Sequence, residues 1–147
     1  MKNPDYVRYE QAVKLKRLGF NWKCRYFYES DNKVLMPLEE IVSAIEGHDF
    51  CITSDTLMED FNKQQDICSA PTIAQVQQWL REEKEFEVCA CADFECSQPN
   101  GKWMAFYRKL SSPAYATDFA AESKDTYEEA LSIAIDMVLS KIEEDNK

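Results

Sequence analysis

Residues 69–84 read SAPTIAQVQQWLREEK, and this stretch predicts a helix with clearly marked ends. Pro71 suits the start of a helix, because the N–H that proline lacks is not needed there. Thr72 and Gln75 have the spacing of a capping box, in which each side chain accepts a hydrogen bond from the backbone N–H of the other residue. The apolar residues of the stretch recur at helical spacing and predict a buried face formed by Ile73, Val76, Trp79 and Leu80.

The same signals predict two further helices. Apolar residues recur at helical spacing from Tyr9 to Leu18, and Gly19 suits the left-handed position that ends a helix. Thr126 stands three residues before a glutamate and is expected to begin a helix that runs to about Ile142. The last helix is apolar around much of its circumference. A sheet is therefore expected to cover one side, and another helix or a second subunit the other.

Two hairpins are predicted between these helices. Over residues 86–95, Phe, Val and Ala alternate strictly with Glu, Asp and Cys. This alternation predicts a strand with one face in the core and one wetter face. Residues 97–102 contain Pro-Asn-Gly and predict a turn, after which residues 103–110 pair back. Residues 25–29 and 34–36 predict a second, shorter hairpin. The expected fold is α+β, with a small antiparallel sheet built from hairpins and helices packed on one face.

The chain is expected to form a single α+β domain over residues 1–147. With 147 residues and 45% hydrophobic content, it is long enough to bury roughly two thirds of its unfolded surface in one core. Pro37 is expected to open a helix over residues 37–45. Residues 48–68 are expected to be irregular with one short helical turn. This segment would join two possible sub-halves, residues 1–47 and 69–147.

The formal net charge of −10 argues against a general phosphate-binding surface. The charge is uneven, since residues 1–36 hold eight basic and four acidic residues. Lys23 and Arg25 flank Tyr26 and Tyr28 in this basic segment, a mixture that can contact phosphates and stack bases. Cross-strand packing in a small sheet explains the same residues. A nucleic-acid-associated accessory protein is therefore the alternative function, not the favoured one.

Six cysteines could suggest a disulfide framework, but their spacing is irregular and the first residues lack the apolar segment of a secretion signal. No window approaches the roughly 18 apolar residues that cross a bilayer. The chain is therefore expected to be cytoplasmic, without membrane contact, and its cysteines are expected to be free thiols that fill the core.

A metal site is a weak alternative for three of these cysteines. Cys89 and Cys91 lie on one strand face, and Cys96, Cys68 or His48 could complete a tetrahedral zinc site. Structural zinc sites usually have paired cysteines two to four residues apart, which this strand lacks. No metal and no other cofactor is therefore expected.

No catalytic motif is present in the sequence. His48 is the only histidine, and the three glycines are too far apart to form a phosphate-binding loop. An acid/base or cation cluster of Glu87, Asp93 and Glu95 is conceivable, but an exposed strand face that pairs charges across the sheet predicts the same residues. These observations favour a protein that is not an enzyme.

Three segments carry a resemblance to a known group of proteins: residues 9–20, 69–84 and 126–131. They resemble a loose family of small uncharacterised proteins from gut Bacteroidetes and their phages or prophages. In that family a Pro-Thr-initiated helix ending in Trp-Leu-Arg-Glu precedes a hairpin and a Thr-Tyr-Glu-Glu-Ala-Leu helix. The chain departs from the pattern at Arg8, where a capping Ser or Thr is expected, and in its cysteine-rich strand.

The resemblance implies the order of elements and a mobile-element or accessory role, and it brings no catalytic residue. Together with the absence of catalytic motifs, it favours a non-enzymatic module that binds a protein partner or another copy of itself. Nucleic acid remains the alternative partner.

Overall fold

The computed structural model describes residues 6–38, 61–63, 65–95, 98–113, 116–120 and 122–147. The chain divides into two compact units, whose described parts are Tyr6–Pro71 and Thr72–Lys147. Each unit contains helix and a three-stranded antiparallel sheet. The predicted α+β class is confirmed, with two small sheets where one was expected.

The first unit begins with a helix and continues into a sheet with the strand order β2-β1-β3. Both pairings are antiparallel, so β1 is the central strand. A single 3-10 turn, Phe61–Lys63, precedes the last strand. The other elements are α1 (Tyr9–Arg17), β1 (Tyr26–Glu29), β2 (Leu35–Pro37) and β3 (Ile67–Ser69).

Helix α1 begins without a capping hydrogen bond from the Arg8 side chain. The amide of Gln11, which is fully buried, supplies half of a capping box by accepting the Arg8 backbone N–H at 2.9 Å. The helix ends before Gly19, whose φ of +89° is the left-handed conformation expected there. Both helix ends therefore follow from local sequence.

Helix α1 contacts β3, a strand that sequence analysis missed. Ala12 and Leu15 are fully buried. The Lys16 ammonium donates to the backbone carbonyl of Ile67 at 2.6 Å. Three residues without alternation give no strand signal, so the prediction of an irregular segment over residues 48–68 was wrong at its end. The predicted short helical turn corresponds to the 3-10 turn.

The predicted helix after Pro37 is confirmed at its first described residue, because Leu38 is helical, although Pro37 itself is not part of the helix. Pro37 is the last residue of β2 and pairs with Tyr26. Because β2 lies at the edge of its sheet, the missing N–H of Pro37 costs no ladder hydrogen bond. The rest of the predicted helix, from residue 39 onward, lies outside the described residues, as does most of the segment 48–68.

The second unit begins with a helix, continues into a long hairpin and a short third strand, and ends in a helix of 19 residues. The strand order is β4-β5-β6, again antiparallel. Within the described residues, no helix is both long and apolar enough to cross a bilayer. The elements are α2 (Ile73–Glu83), β4 (Phe86–Glu95), β5 (Gln98–Lys109), β6 (Asp118–Phe119) and α3 (Tyr127–Asp145).

Helix α2 has the predicted capping box. The Gln75 N–H donates to the Thr72 hydroxyl at 3.1 Å, and the Thr72 N–H donates to the Gln75 side-chain oxygen at 2.9 Å. Val76, Trp79 and Leu80 are buried, as the apolar spacing indicates.

The two faces of the second sheet differ as predicted. Paired residues of antiparallel strands share a face, and the buried side chains Phe86, Val88 and Ala105 all lie on one of them. Helix α3 contacts both β4 and β5, and α2 contacts β4. We call this the helix-covered face. The side chains that α3 buries are Ala130, Leu131, Ala134, Ile135, Val138, Leu139 and Ile142.

The hairpin of β4 and β5 is longer than predicted, and the expected turn over residues 97–102 was wrong. Strand β5 begins at Gln98, so Pro-Asn-Gly lies inside the strand. The pairing register shifts there, and three residues of β5, 100–102, oppose Asp93 alone. The φ of Gly101 is +76°, and the Asn100 side chain accepts the Lys102 N–H at 2.9 Å. The turn residues therefore form a bulge.

The capping box of α2 leads to a stability prediction. Replacing Thr72 with alanine removes the hydroxyl that accepts the Gln75 N–H, and we expect the free energy of unfolding to fall by about 1 kcal/mol. Denaturant-induced unfolding followed by circular dichroism measures this change. The matched control, Thr72→Ser, keeps a hydroxyl at the same position and should unfold close to wild type. Equal losses for both substitutions would contradict the capping role.

Candidate functional site

The strongest candidate site is the face of the second sheet opposite the helix-covered face, which we call the open face. In the regularly paired part of the strands, alternation and register place seven side chains on it, and none of them is buried. Sequence analysis identified those of β4 as a wetter face and expected charge pairing with β5, but it missed the apolar side chains of β5 and β6. The seven are Glu87, Cys89 and Cys91 on β4, Met104, Phe106 and Arg108 on β5, and Phe119 on β6.

The centre of the open face is apolar. Cys91 pairs with Met104 in the strand register. In the next row Cys89 pairs with Phe106, which in turn pairs with Phe119 on β6. The rings of Phe106 and Phe119 lie 5.4 Å apart, and Phe119 is 58% exposed. Two aromatic rings, a thioether and two thiols therefore form a continuous surface in contact with water.

One end of the open face carries opposite charges. Glu87 pairs with Arg108 in the strand register. The Glu87 carboxylate also accepts the Cys89 thiol at 3.4 Å and lies 3.6 Å from the guanidinium of Arg81 on α2. Burial, together with the hydrogen bond to Glu87 and the negative charge of that carboxylate, raises the pKa of Cys89 to about 11. The Cys89 thiol is therefore protonated at neutral pH and is a poor nucleophile.

The other end of the open face is polar and internally bonded. Asp93 accepts hydrogen bonds from the Ser123 hydroxyl and, at 3.3 Å, from the Asn100 amide. The Lys102 ammonium lies 2.6 Å from the Asp125 carboxylate, and this contact lowers the pKa of Asp125. An apolar centre between two polar ends is the usual composition of a protein-protein interface.

Helix α2 covers part of the free edge of β4. The Gln77 side-chain amide donates to the Val88 backbone carbonyl at 3.2 Å. The Leu110 N–H donates to the Glu85 carbonyl at 2.7 Å, so in this ladder Glu87 and Arg108 form a hydrogen-bonded pair and the polar backbone groups of Val88 point away from β5. The amide therefore occupies a position that a further strand would otherwise use.

The structure describes three of the five candidate zinc ligands, Cys68 in the first unit and Cys89 and Cys91 in the second. Cys89 and Cys91 lie on the open face, whereas Cys96 and His48 lie outside the described residues. The described residues include no group of three side chains arranged to hold a metal ion. Cys24 and Cys68 are buried free thiols, which confirms core packing for these two cysteines. Cys91 is exposed, so core packing was wrong for that cysteine.

The candidate nucleic-acid residues take different positions in the first unit. Lys23 is exposed and Arg25 is half-buried. The Tyr26 ring packs against Tyr6, with centroids 4.6 Å apart. Tyr28 is buried, its hydroxyl donates to the Val7 carbonyl at 2.7 Å, and burial raises its pKa. In this conformation the rings of Tyr26 and Tyr28 therefore pack against other residues of the first unit.

The structure separates two residues of the candidate acidic cluster. Glu87 and Asp93 lie at opposite ends of the apolar centre and have the structural partners already described. The side chain of Glu95 is not among those that the structure describes.

Sequence comparison adds no functional assignment. The chain matches no protein-family model, no curated protein and no solved structure.

The environment of Cys89 leads to a reactivity prediction. At pH 8 we expect iodoacetamide to alkylate the exposed Cys91 well before Cys89, and the rate at Cys89 to keep rising up to about pH 11. Glu87→Gln removes the negative charge beside the thiol and should lower the pKa of Cys89. A fall of one unit increases the thiolate fraction roughly tenfold.

Residue-resolved mass spectrometry measures these rates. Glu83→Gln, on the exposed side of α2, is the matched control and should leave the rate at Cys89 unchanged. An unchanged rate in the Glu87→Gln chain would show that the carboxylate does not control this thiol.

Proposed function

We propose that the chain is a non-enzymatic protein-interaction module, an accessory protein of mobile-element origin, and that the open face is its binding surface. One observation carries the proposal: Phe119 is 58% exposed and packs beside Phe106, at the β6 edge of an apolar sheet face in contact with water. The largest exposed apolar patch of a protein is often an interaction site, especially where polar residues border it.

The energetics of the open face favour a macromolecular partner. Full burial of a phenylalanine or methionine side chain yields about 1.5–3 kcal/mol, and a partner could cover Met104, Phe106 and Phe119 together. Aromatic residues and methionine are also enriched at the centres of interfaces. The open face is a surface of paired strands, so a partner with a complementary flat surface would cover it best.

The described polar groups support a non-enzymatic role. Glu87 and Asp93 are engaged in hydrogen bonds within the sheet, and the Cys89 thiol is held in its protonated form. Cys24, Cys68, Cys89 and Cys91 are free thiols, which fits a reducing compartment such as the cytoplasm.

A binding experiment tests this proposal. Purified wild-type and Phe119→Ser chains are immobilised and exposed to an extract of the native host, and the retained proteins are identified and quantified by mass spectrometry. We expect Phe119→Ser to reduce retention of specific partners about tenfold or more, because among the described residues this ring is the most exposed large apolar side chain. Its free energy of unfolding should change by less than about 0.5 kcal/mol, since the side chain is exposed.

Val34→Ser is the matched control. Val34 is 48% exposed in the first unit, and the substitution removes an exposed apolar side chain that is not part of the open face. It should retain the partners of the wild-type chain. If Phe119→Ser retained the same proteins in the same amounts as Val34→Ser, the open face would not be the binding surface.

A further inference from the structure

The open face has features that point to a specific occupant. We infer that it binds the open face of a second copy of this chain, forming a two-fold symmetric dimer in which two β4-β5-β6 sheets stack. The inference rests on the proposed function, because it takes the open face to be the interaction surface and names the partner.

The charges of the open face are divided between its two long strands. Both acids, Glu87 and Asp93, lie on β4, at opposite ends of the apolar centre. Both bases, Arg108 and Lys102, lie on β5 at the corresponding ends. Arg108 is the direct register partner of Glu87, and Lys102 lies in the bulge that opposes Asp93. One strand is thus acidic and its neighbour basic at both ends.

This division matches a two-fold axis that runs parallel to the strands, between β4 and β5. Rotation about such an axis keeps each row at its own height and exchanges the two strands. Glu87 of one copy then faces Arg108 of the other, and Asp93 lies nearest Lys102 of the other. An axis perpendicular to the strands would instead place the acids of β4 against each other and the bases of β5 against each other. The arrangement is self-complementary, as an isologous interface requires.

The apolar rows also match in this arrangement. Cys89 and Phe106 of one copy face Phe106 and Cys89 of the other, and Cys91 faces Met104. Stacked sheets are separated by about 10 Å, a distance that these side chains fill when they interdigitate. Small thiol side chains on β4 lie opposite large side chains on β5, so the two surfaces fit without large side chains meeting head-on.

Charge balance favours a second copy as occupant. The chain carries a net charge of −10, so two copies repel each other over most approaches. The four charges on β4 and β5 of the open face are two acids and two bases, so contact there brings opposite charges together.

The size of the open face predicts a weak dimer. Only β4 and β5 face each other across this axis, and two strands about 4.8 Å apart with rows about 6.8 Å apart cover only a few hundred Å². This area is below the roughly 800 Å² per partner of a standard interface. The dimer should therefore dissociate on dilution, and its measurement needs a wide concentration range.

Charge reversal tests the inference. Sedimentation equilibrium of the purified wild-type chain should show a concentration-dependent monomer-dimer equilibrium. Glu87→Arg and Arg108→Glu should each reduce the association constant at least tenfold. An equimolar mixture of these two chains should regain wild-type association, because the two-fold arrangement then places each introduced charge opposite the other. Circular dichroism confirms that each variant is folded.

Two substitutions serve as matched controls. Lys109→Glu makes the same charge change as Arg108→Glu one residue further along β5, on the other face of the sheet. Glu83→Arg makes the same change as Glu87→Arg on the exposed surface of α2. Both control chains should associate like wild type. Equal weakening by the controls would assign the effect to net charge and overturn the inference.

A cross-linking experiment tests the row alignment independently. The Cys91 thiols of the two copies should lie in the same row on either side of the axis, so a short bismaleimide should join Cys91 to Cys91. Peptide mass spectrometry should identify this link in the wild-type dimer and not in the Cys91→Ser chain. A dimer linked only through other cysteines would overturn the proposed axis.

Failure of the inference differs from failure of the proposed function. A wild-type chain that stays monomeric at millimolar concentration overturns the dimer. If such a monomeric chain still loses specific partners on Phe119→Ser, the open face remains a binding surface for another protein. If the charge reversals at Glu87 and Arg108 leave association unchanged and Phe119→Ser leaves partner retention unchanged, both the dimer and the proposed function are overturned.

Discussion

The pairing of β4 with β5 determines which side chains of the second unit are buried and which face water. Side chains alternate along a strand with a period of two, so the register that places Val88 opposite Tyr107 also places Cys89 opposite Phe106. A slip of β4 by one residue against β5 would exchange the two faces of β4 and put Glu87 beneath α3. The burial of Val88 and Ala105 against the helices therefore fixes the composition of the open face.

The elements predicted well from the sequence were those with local signals. The capping box of Thr72 and Gln75, the glycine after α1 and the alternation of β4 each depend on neighbours within a few residues. These signals were enough to establish the α+β class and most of the second unit. They were also enough to separate the buried side of β4 from its wetter side.

The elements that were missed depend on distant residues. Strand β3 has three residues and exists because β1 and the Lys16 side chain bind its backbone, which no local pattern records. Pro-Asn-Gly is common in turns, but here tertiary pairing extends β5 past it and converts it into a bulge. Only the β4 part of the open face could be predicted from local sequence. Phe106 and Phe119 become neighbours because β5 pairs with β6, and these strands are separated by eight residues of the chain.

The Gln77 side chain has a consequence for how the molecule can assemble. An uncovered strand edge invites further strands to add one after another, which leads to open-ended fibres. By holding the Val88 carbonyl, the glutamine blocks this lateral growth at the start of β4. An exposed apolar sheet face combined with a covered strand edge is compatible with two sheets stacking as a closed pair, and it opposes the open-ended addition of strands.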